Sequence, residues 1–123
     1  MVVVGRRLVG DILIDLEPVG FTYLAVGTGY AVPTVSDTGL NAEFFRKAIM
    51  SRTRPGTATY ITLSTFFVAN QVSVNLQEAG IFGGHYATTT PGSGVLFSHW
   101  LQAYDNSVVQ NDLTYDYILD ILA

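Results

Sequence analysis

The segment from Leu113 to Ile121 alternates strictly between two kinds of residue. Apolar side chains occupy every second position, namely Leu113, Tyr115, Tyr117, Leu119 and Ile121. The positions between them hold Thr114, Asp116, Ile118 and Asp120. A period of two is typical of a β-strand with one buried and one solvated face. The pattern therefore predicts a strand that packs against a second layer of sheet.

Short β-branched and aromatic runs, separated by turn residues, recur along the chain. Further strands are predicted at Ile12–Leu16, Phe21–Val26, Thr57–Phe67, Val72–Leu76, Ala79–Phe82 and Val95–Leu101. The Pro55-Gly56 pair predicts a hairpin turn between Arg46–Arg54 and Thr57–Phe67.

The fold class follows from these strands. Residues 41–50 are open to two interpretations, because Asn41 is a suitable cap for a short helix but the segment also suits a strand. The sequence thus predicts an all-β, single-domain antiparallel sandwich or barrel with about 7–8 short strands and at most one short helix near 41–50. We expect residues 1–10 to form an N-terminal arm and residues 11–123 to form the β domain.

Composition indicates that part of the surface is covered in an assembly. Hydrophobic residues make up 49% of the 123 residues and charged residues 13%, whereas an average soluble domain has about 25% charged residues. Neither face of the predicted strand Thr57–Phe67 carries a charge, which favours cover by a neighbouring subunit. We therefore expect a homo-oligomer, with a trimer as its expected form.

The same counts exclude several classes of protein. Cysteine is absent, which removes disulfides, thiolate nucleophiles and cysteine-ligated metals. The formal net charge of −4 argues against a nucleic-acid-binding role, and no apolar run reaches the length of a membrane span. We expect no nucleic-acid, membrane or small-molecule partner.

Charge is unevenly distributed along the chain. All six basic residues lie within the first 54 positions, and the remaining 69 residues carry five acids and no base. The basic part either folds back on the acidic part or pairs with the acidic part of another subunit. The candidate interface residues are Arg52, Arg54, Tyr60, Phe66, Asp116 and Asp120.

Three sequence patterns resembling those of cofactor binding or catalysis do not meet the spacing that each requires. Gly27 and Gly29 lack the third glycine of a dinucleotide-binding loop, and Ser98 and His99 are strand neighbours that point to opposite faces. Asp116 and Asp120 would lie about 13 Å apart on one strand, too far for a glycosidase pair. We interpret His85 and His99 as ordinary strand-end histidines. No catalytic residue, metal or cofactor is predicted.

Three charged residues lie in otherwise apolar surroundings. Glu43, Arg46 and Glu78 are flanked by hydrophobic or small residues, and a charge in such surroundings usually requires a partner. We therefore predict a structural ion-pair network that joins Arg46 to Glu43, to Glu78 or to both.

The order of several short motifs resembles a known family. Tyr23–Gly29 reads YLAVGTG, Asn41–Ile49 reads NAEFFRKAI, Gln77–Gly83 reads QEAGIFG, and Gly92–Phe97 reads GSGVLF. In order and spacing they are similar to phage tail-collar fibre proteins and related short phage virion proteins over Phe21–Leu101. The residues matched to the family motifs are Gly27, Gly29, Glu43, Arg46, Glu78, Gly80 and Phe82.

The resemblance implies a non-enzymatic virion structural protein, made in the cytoplasm of a bacterial host and located in the virion. It implies a tail, collar or baseplate component that attaches a fibre, with other virion proteins of the tail, neck, fibre or capsid as partners. A head decoration (cement) protein that clamps capsid subunits is the alternative. A carbohydrate- or receptor-binding module is a further alternative, although strand placement predicts that Trp100 points inward.

Overall fold

The computed structural model describes residues 1–120 of the chain. Its elements, in chain order, are helix α1 (Val3–Leu13), β1 (Phe21–Gly27), β2 (Glu43–Ala48), β3 (Ser51–Thr53), β4 (Tyr60–Phe67), a 3-10 turn (Ala69–Gln71), β5 (Asn75–Gly83), β6 (Val95–Asp105) and β7 (Leu113–Asp120). The seven strands of residues 1–120 confirm the predicted all-β fold class.

The strands form two antiparallel sheets. One has the order β2-β1-β5-β6 and the other has the order β3-β4-β7. Apolar side chains of the two sheets pack face to face, so the molecule is a sandwich. The four-stranded sheet contributes Leu24, Val26, Ile81 and Phe97, and the three-stranded sheet contributes Leu63, Phe67 and Tyr115.

The two clearest sequence signals are confirmed. In β7 the apolar positions are buried or half-buried and the positions between them are exposed. The turn at Pro55-Gly56 joins β3 to β4, which pair antiparallel with Arg52 opposite Leu63.

The four-stranded sheet is buried on its second face as well. There Ala25, Phe82 and Leu96 form a smaller apolar cluster together with Val2 from the start of the chain. Gly5 lets α1 approach this sheet closely, because a Cβ atom at Gly5 would lie 2.6 Å from the Phe97 Cα atom. Together with α1, the loops 28–42 and 84–94 pack over this covered face.

The predicted strand at Ile12–Leu16 is wrong, and the open choice at residues 41–50 is decided in favour of a strand. Residues 12–16 form no strand, because α1 runs through Leu13 and ends in a turn. The short helix considered near 41–50 is strand β2, which pairs along β1. An N-terminal arm that reaches another subunit stays a prediction; in this chain α1 spans the expected boundary after residue 10 and packs on β6.

Candidate functional site

A buried carboxylate lies at the centre of the covered face. Glu78 lies in β5, and its side chain shares a face with Gly80 and Phe82. Glu78 is completely buried. An ionised group in such a position is tolerated only where hydrogen bonds replace its lost hydration.

Four donors surround the Glu78 carboxylate. Its Oε2 atom accepts the backbone N–H groups of Gly29 and Ala42, each at 2.8 Å. Its Oε1 atom accepts the backbone N–H of Asn41 at 2.9 Å and lies 2.8 Å from Nε2 of His99. Both ends of the loop 28–42 are therefore hydrogen-bonded to one side chain.

The paired glycines make room for this carboxylate. A Cβ atom at Gly27 would lie 2.5 Å from the Ala42 carbonyl oxygen and 2.7 Å from Glu78 Oε2. A Cβ atom at Gly29 would overlap Glu78 Oε2 and the Asn41 Cβ atom. The Gly-x-Gly spacing therefore lets the chain turn around an anionic side chain of its own protein.

His99 connects Glu78 to a second acid. Its Nδ1 atom lies 2.8 Å from Oδ2 of Asp37, which is in the middle of the loop 28–42. Asp37 also accepts the backbone N–H and the hydroxyl of Thr34, at 2.9 and 2.8 Å. The Thr34 backbone N–H, followed by the His99 hydrogen bond, lowers the pKa of the Asp37 carboxyl below its ordinary value of 3.8.

This arrangement determines what His99 can do chemically. Both of its ring nitrogens face carboxylate oxygens, which accept hydrogen bonds and do not donate them when ionised. Both nitrogens are therefore occupied by hydrogen-bond contacts within the protein. Neither nitrogen is then available as the general base of a nucleophile, so the geometry suits a bridge that fixes the loop 28–42 to the sheet.

Arg46 forms a second buried polar cluster on the same face. Its guanidinium group contacts Glu43 through two parallel hydrogen bonds, from Nε to Oε2 at 2.6 Å and from Nη2 to Oε1 at 2.9 Å. The Arg46–Glu43 part of the predicted network is thus present. Glu78 forms its contacts with backbone amides and His99 instead.

A β-bulge brings Glu43 and Arg46 together. Glu43 is opposite Gly27 and Phe45 is opposite Val26, so β2 holds one extra residue at this point. In a regular strand, residues three apart point to opposite faces. The extra residue brings both side chains to the covered face.

The Arg46 cluster fixes the second loop. Nη1 of Arg46 donates to the carbonyl oxygens of Thr88 and Ser93, at 3.2 and 2.8 Å. Glu43 accepts the backbone N–H of Gly92 at 3.1 Å, and the guanidinium carbon lies 4.2 Å from the Phe82 ring centroid. One ion pair thereby holds the loop 84–94 against the sheet.

The motif residues quoted from the sequence thus fall into two neighbouring clusters. Gly27, Gly29 and Gly80 adjoin the Glu78 and Leu40 side of the covered face, while Glu43 and Phe82 adjoin Arg46. Sequence reasoning missed His99 as a partner of Glu78 and Asp37 as a partner of His99. The register of β5 with β6 brings His99 to Glu78, and the path of the loop 28–42 brings Asp37 to His99.

In contrast to the covered face, one face of the three-stranded sheet is exposed. We call it the outer face; its residues include Tyr60, Thr62, Ser64, Phe66, Thr114, Asp116, Ile118 and Asp120. Four of the six candidate interface residues belong to it. The other two candidates, Arg52 and Arg54, do not belong to it. Arg52 is opposite Leu63 and so lies on the other side of the sheet, where it donates to the Phe21 carbonyl oxygen. Arg54 follows β3 and donates to the Gly56 carbonyl oxygen.

Trp100 is directed inward, as predicted. It packs against the core with its ring centroid 5.1 Å from that of Tyr117, and its indole N–H donates to Gln102. No set of three or more His, Asp or Glu side chains in residues 1–120 is arranged to hold a metal ion. No helix within those residues is long and apolar enough to cross a membrane.

Comparison with known proteins identified no relative: no family model, no curated protein and no solved structure matches this chain.

Proposed function

We propose that this chain is a non-enzymatic virion structural protein that assembles through its outer face. The observation that carries the proposal is the exposure of apolar side chains on that face. Ile118 is 63% exposed, and Tyr60 and Phe66 are also exposed on the neighbouring strand. Large apolar groups on a flat sheet face favour contact with another protein surface.

The outer face is well suited to assembly for a second reason. Its polar members are hydroxyl groups and acids, and the Ser64 hydroxyl donates to Asp116 across the strands at 2.6 Å. A surface of this kind combines apolar side chains with hydrogen-bonding groups, as protein interfaces do. A homotrimer around this face is the expected form.

The two buried clusters support a scaffold rather than a catalyst. Glu78 and Arg46 use their polar atoms to hold loops 28–42 and 84–94, and both ring nitrogens of His99 contact carboxylates. These contacts use the groups that an active site would need free. They give the loops fixed positions, which an assembly part requires.

The phage assignment rests on the motif order over Phe21–Leu101. Within that class we propose a tail, collar or baseplate component that attaches a fibre, located in the virion and bound to other virion proteins. A head decoration protein would use the same outer face on a capsid surface, and localisation on particles separates the two.

Sedimentation of the purified chain tests the assembly proposal. We expect a trimer at micromolar concentration, and we expect Phe66→Asp and Ile118→Asp each to shift it toward smaller species. Val108→Asp is the matched control, because Val108 is 84% exposed in the β6–β7 loop and is not a residue of the strands that form the outer face. A wild-type chain that stays monomeric at high concentration, or variants that sediment as the wild type does, would contradict the proposal.

A further inference from the structure

One side of helix α1 is exposed along most of its length. We call its exposed residues Val3, Arg6, Arg7 and Gly10 the basic stripe. Residues three, four and seven apart lie on one face of a helix. The opposite side of α1, with Gly5 and Leu8, is buried against the sheet. The basic stripe is therefore open to another molecule.

The two arginines of the stripe carry charge that no neighbouring group neutralises. Neither guanidinium group forms a hydrogen bond or an ion pair within residues 1–120. Each of the other basic residues donates to Glu43 or to backbone carbonyl oxygens, namely Arg46, Lys47, Arg52 and Arg54. Arg6 and Arg7 are thus the two cations of the described chain that remain available to an acidic partner.

The surroundings of the stripe do not cancel its charge. The first turn of α1 has no acidic residue and no side-chain cap, so the positive end of the helix dipole adds to the charge of the arginines. The acid of the helix, Asp11, lies in the following turn and forms no ion pair with Arg7 within the described residues. Asp37, in the adjacent loop, contacts His99 and Thr34 instead.

The outer face has the opposite charge. Its charged residues are Asp116 and Asp120, and none of its residues is Lys or Arg. Asp116 accepts the neutral hydroxyl of Ser64, which leaves its negative charge in place. Lys47 lies near one end of the face, where it donates to the Phe66 carbonyl oxygen. The outer face is therefore apolar and acidic.

The uneven charge of the sequence is not balanced within one chain. The acids between residues 55 and 116 form no ion pair with Lys or Arg in the part of the chain that the structure describes; they are Glu78, Asp105, Asp112 and Asp116. Folding of the basic part onto the acidic part does not pair these groups. The arrangement favoured instead joins the basic part of one subunit to the acidic part of another.

From this complementarity we infer that the basic stripe of one copy binds the outer face of the next copy. Arg6 and Arg7 lie against the acids of β7, and Val3 contacts the apolar side chains around Ile118. The inference rests on the proposed function, because it names the surface that covers the outer face.

The contact joins two different surfaces of the chain. Helix α1 packs on β6 of the four-stranded sheet, whereas the outer face belongs to the three-stranded sheet. A surface that meets its own copy closes with two subunits, but a contact between two different surfaces generates a ring. The expected trimer requires a contact of this second kind.

Sedimentation equilibrium of charge-reversal variants tests the contact. Arg6→Glu should weaken assembly at least about tenfold, because it places a carboxylate beside Asp116. Asp116→Arg should also weaken assembly, and the double variant Arg6→Glu/Asp116→Arg should recover part of the lost affinity. Arg54→Glu is the matched control, since it changes the net charge equally at an exposed residue outside both surfaces.

Two results of this experiment would overturn the inference. One is assembly of Arg6→Glu with the wild-type affinity, and the other is a double variant that assembles no better than either single variant. Urea unfolding at a concentration where the chain is monomeric checks the fold. Arg6→Glu should have the wild-type midpoint there, because Arg6 has no side-chain partner within residues 1–120.

Cross-linking gives an independent measurement, because the chain contains no cysteine of its own. Gly10→Cys in one copy and Thr114→Cys in another should be joined by a short bismaleimide when the two variants are mixed. A Cβ atom at Gly10 has no neighbour within 4 Å, so the helix accommodates this change. Val108→Cys mixed with Thr114→Cys is the control. Equal yields from both mixtures, or no product from the first, would overturn the inference.

The outer-face variants keep this inference separate from the proposed function. If Ile118→Asp dissociates the assembly and Arg6→Glu does not, assembly through the outer face stands and the basic stripe is not its partner. A wild-type chain that is monomeric at high concentration contradicts the proposed function itself, and the inference fails with it.

Discussion

Oε1 of Glu78 lies 2.8 Å from Nε2 of His99, and both side chains are completely buried. The contact joins β5 to β6 on the covered face of the four-stranded sheet. Through the other nitrogen of His99 it continues to Asp37 in the loop 28–42. The shape of this loop therefore depends on one buried carboxylate and its donors.

Glu78→Gln should destabilise the protein by about 2–3 kcal/mol, because an amide cannot accept all four hydrogen bonds and brings a donor toward a donor. Urea unfolding of both proteins measures the loss. Asp11→Asn is the control, since the Asp11 side chain is exposed on α1 and its loss should change stability far less. Equal stability of Glu78→Gln and the wild type would contradict this description of the cluster.

Asp37→Asn should make stability less dependent on pH in acid. The pKa of Asp37 is lowered in the folded protein, first by the Thr34 backbone N–H and then by His99. Its stabilising contribution is therefore present above the ordinary value of 3.8 and is lost as the pH falls through the lower folded pKa. Unfolding midpoints of the wild type and Asp37→Asn, measured from acid to neutral pH, should differ at neutral pH and converge in strong acid. If the midpoints of the two proteins differed by the same amount at every pH, the pH-dependent contribution assigned to Asp37 would be refuted.

Gly29→Ala should cost more than about 2 kcal/mol, because its Cβ atom would overlap the Glu78 carboxylate and Asn41. Gly39→Ala in the same loop is the control, since a Cβ atom there has no neighbour within 4 Å. Thermal unfolding of the two variants measures the difference. If Gly29→Ala and Gly39→Ala unfold at the same temperature, the Glu78 carboxylate does not require glycine at position 29.

Arg46→Met should destabilise the protein by about 3–5 kcal/mol, because Glu43 would be left with little solvent and no cation. Hydrogen exchange should also accelerate across residues 88–93, which Arg46 and Glu43 fix in place. Arg7→Met, at an exposed helix position, should leave both measurements unchanged. If residues 88–93 exchanged as slowly in Arg46→Met as in the wild type, the proposal that Arg46 anchors this loop would be contradicted.

The sheets were more predictable from the sequence than the helix was. The alternation of β7 and the Pro55-Gly56 turn are local signals, and both are confirmed. Helix α1 has valines and two glycines, which disfavour a helix in isolation. Its close packing at Gly5 overrides that preference.

The candidate site was predictable only in part. Glu43, Arg46 and Glu78 stood out because each is a charge in an apolar setting, and the Arg46–Glu43 pair is confirmed. The contacts of Glu78 with Asn41, Ala42 and His99 depend on the register of three strands and the path of a loop. Residue types and spacing do not encode that path.

Localisation on intact particles tests the central claim most directly. An antibody raised against this chain, with gold labelling and electron microscopy, should mark virus particles released by the host that carries the gene. We expect label at the tail or neck; label scattered over the head would replace the tail assignment with head decoration. Particles that carry no label would contradict the proposal that this chain is a virion structural protein.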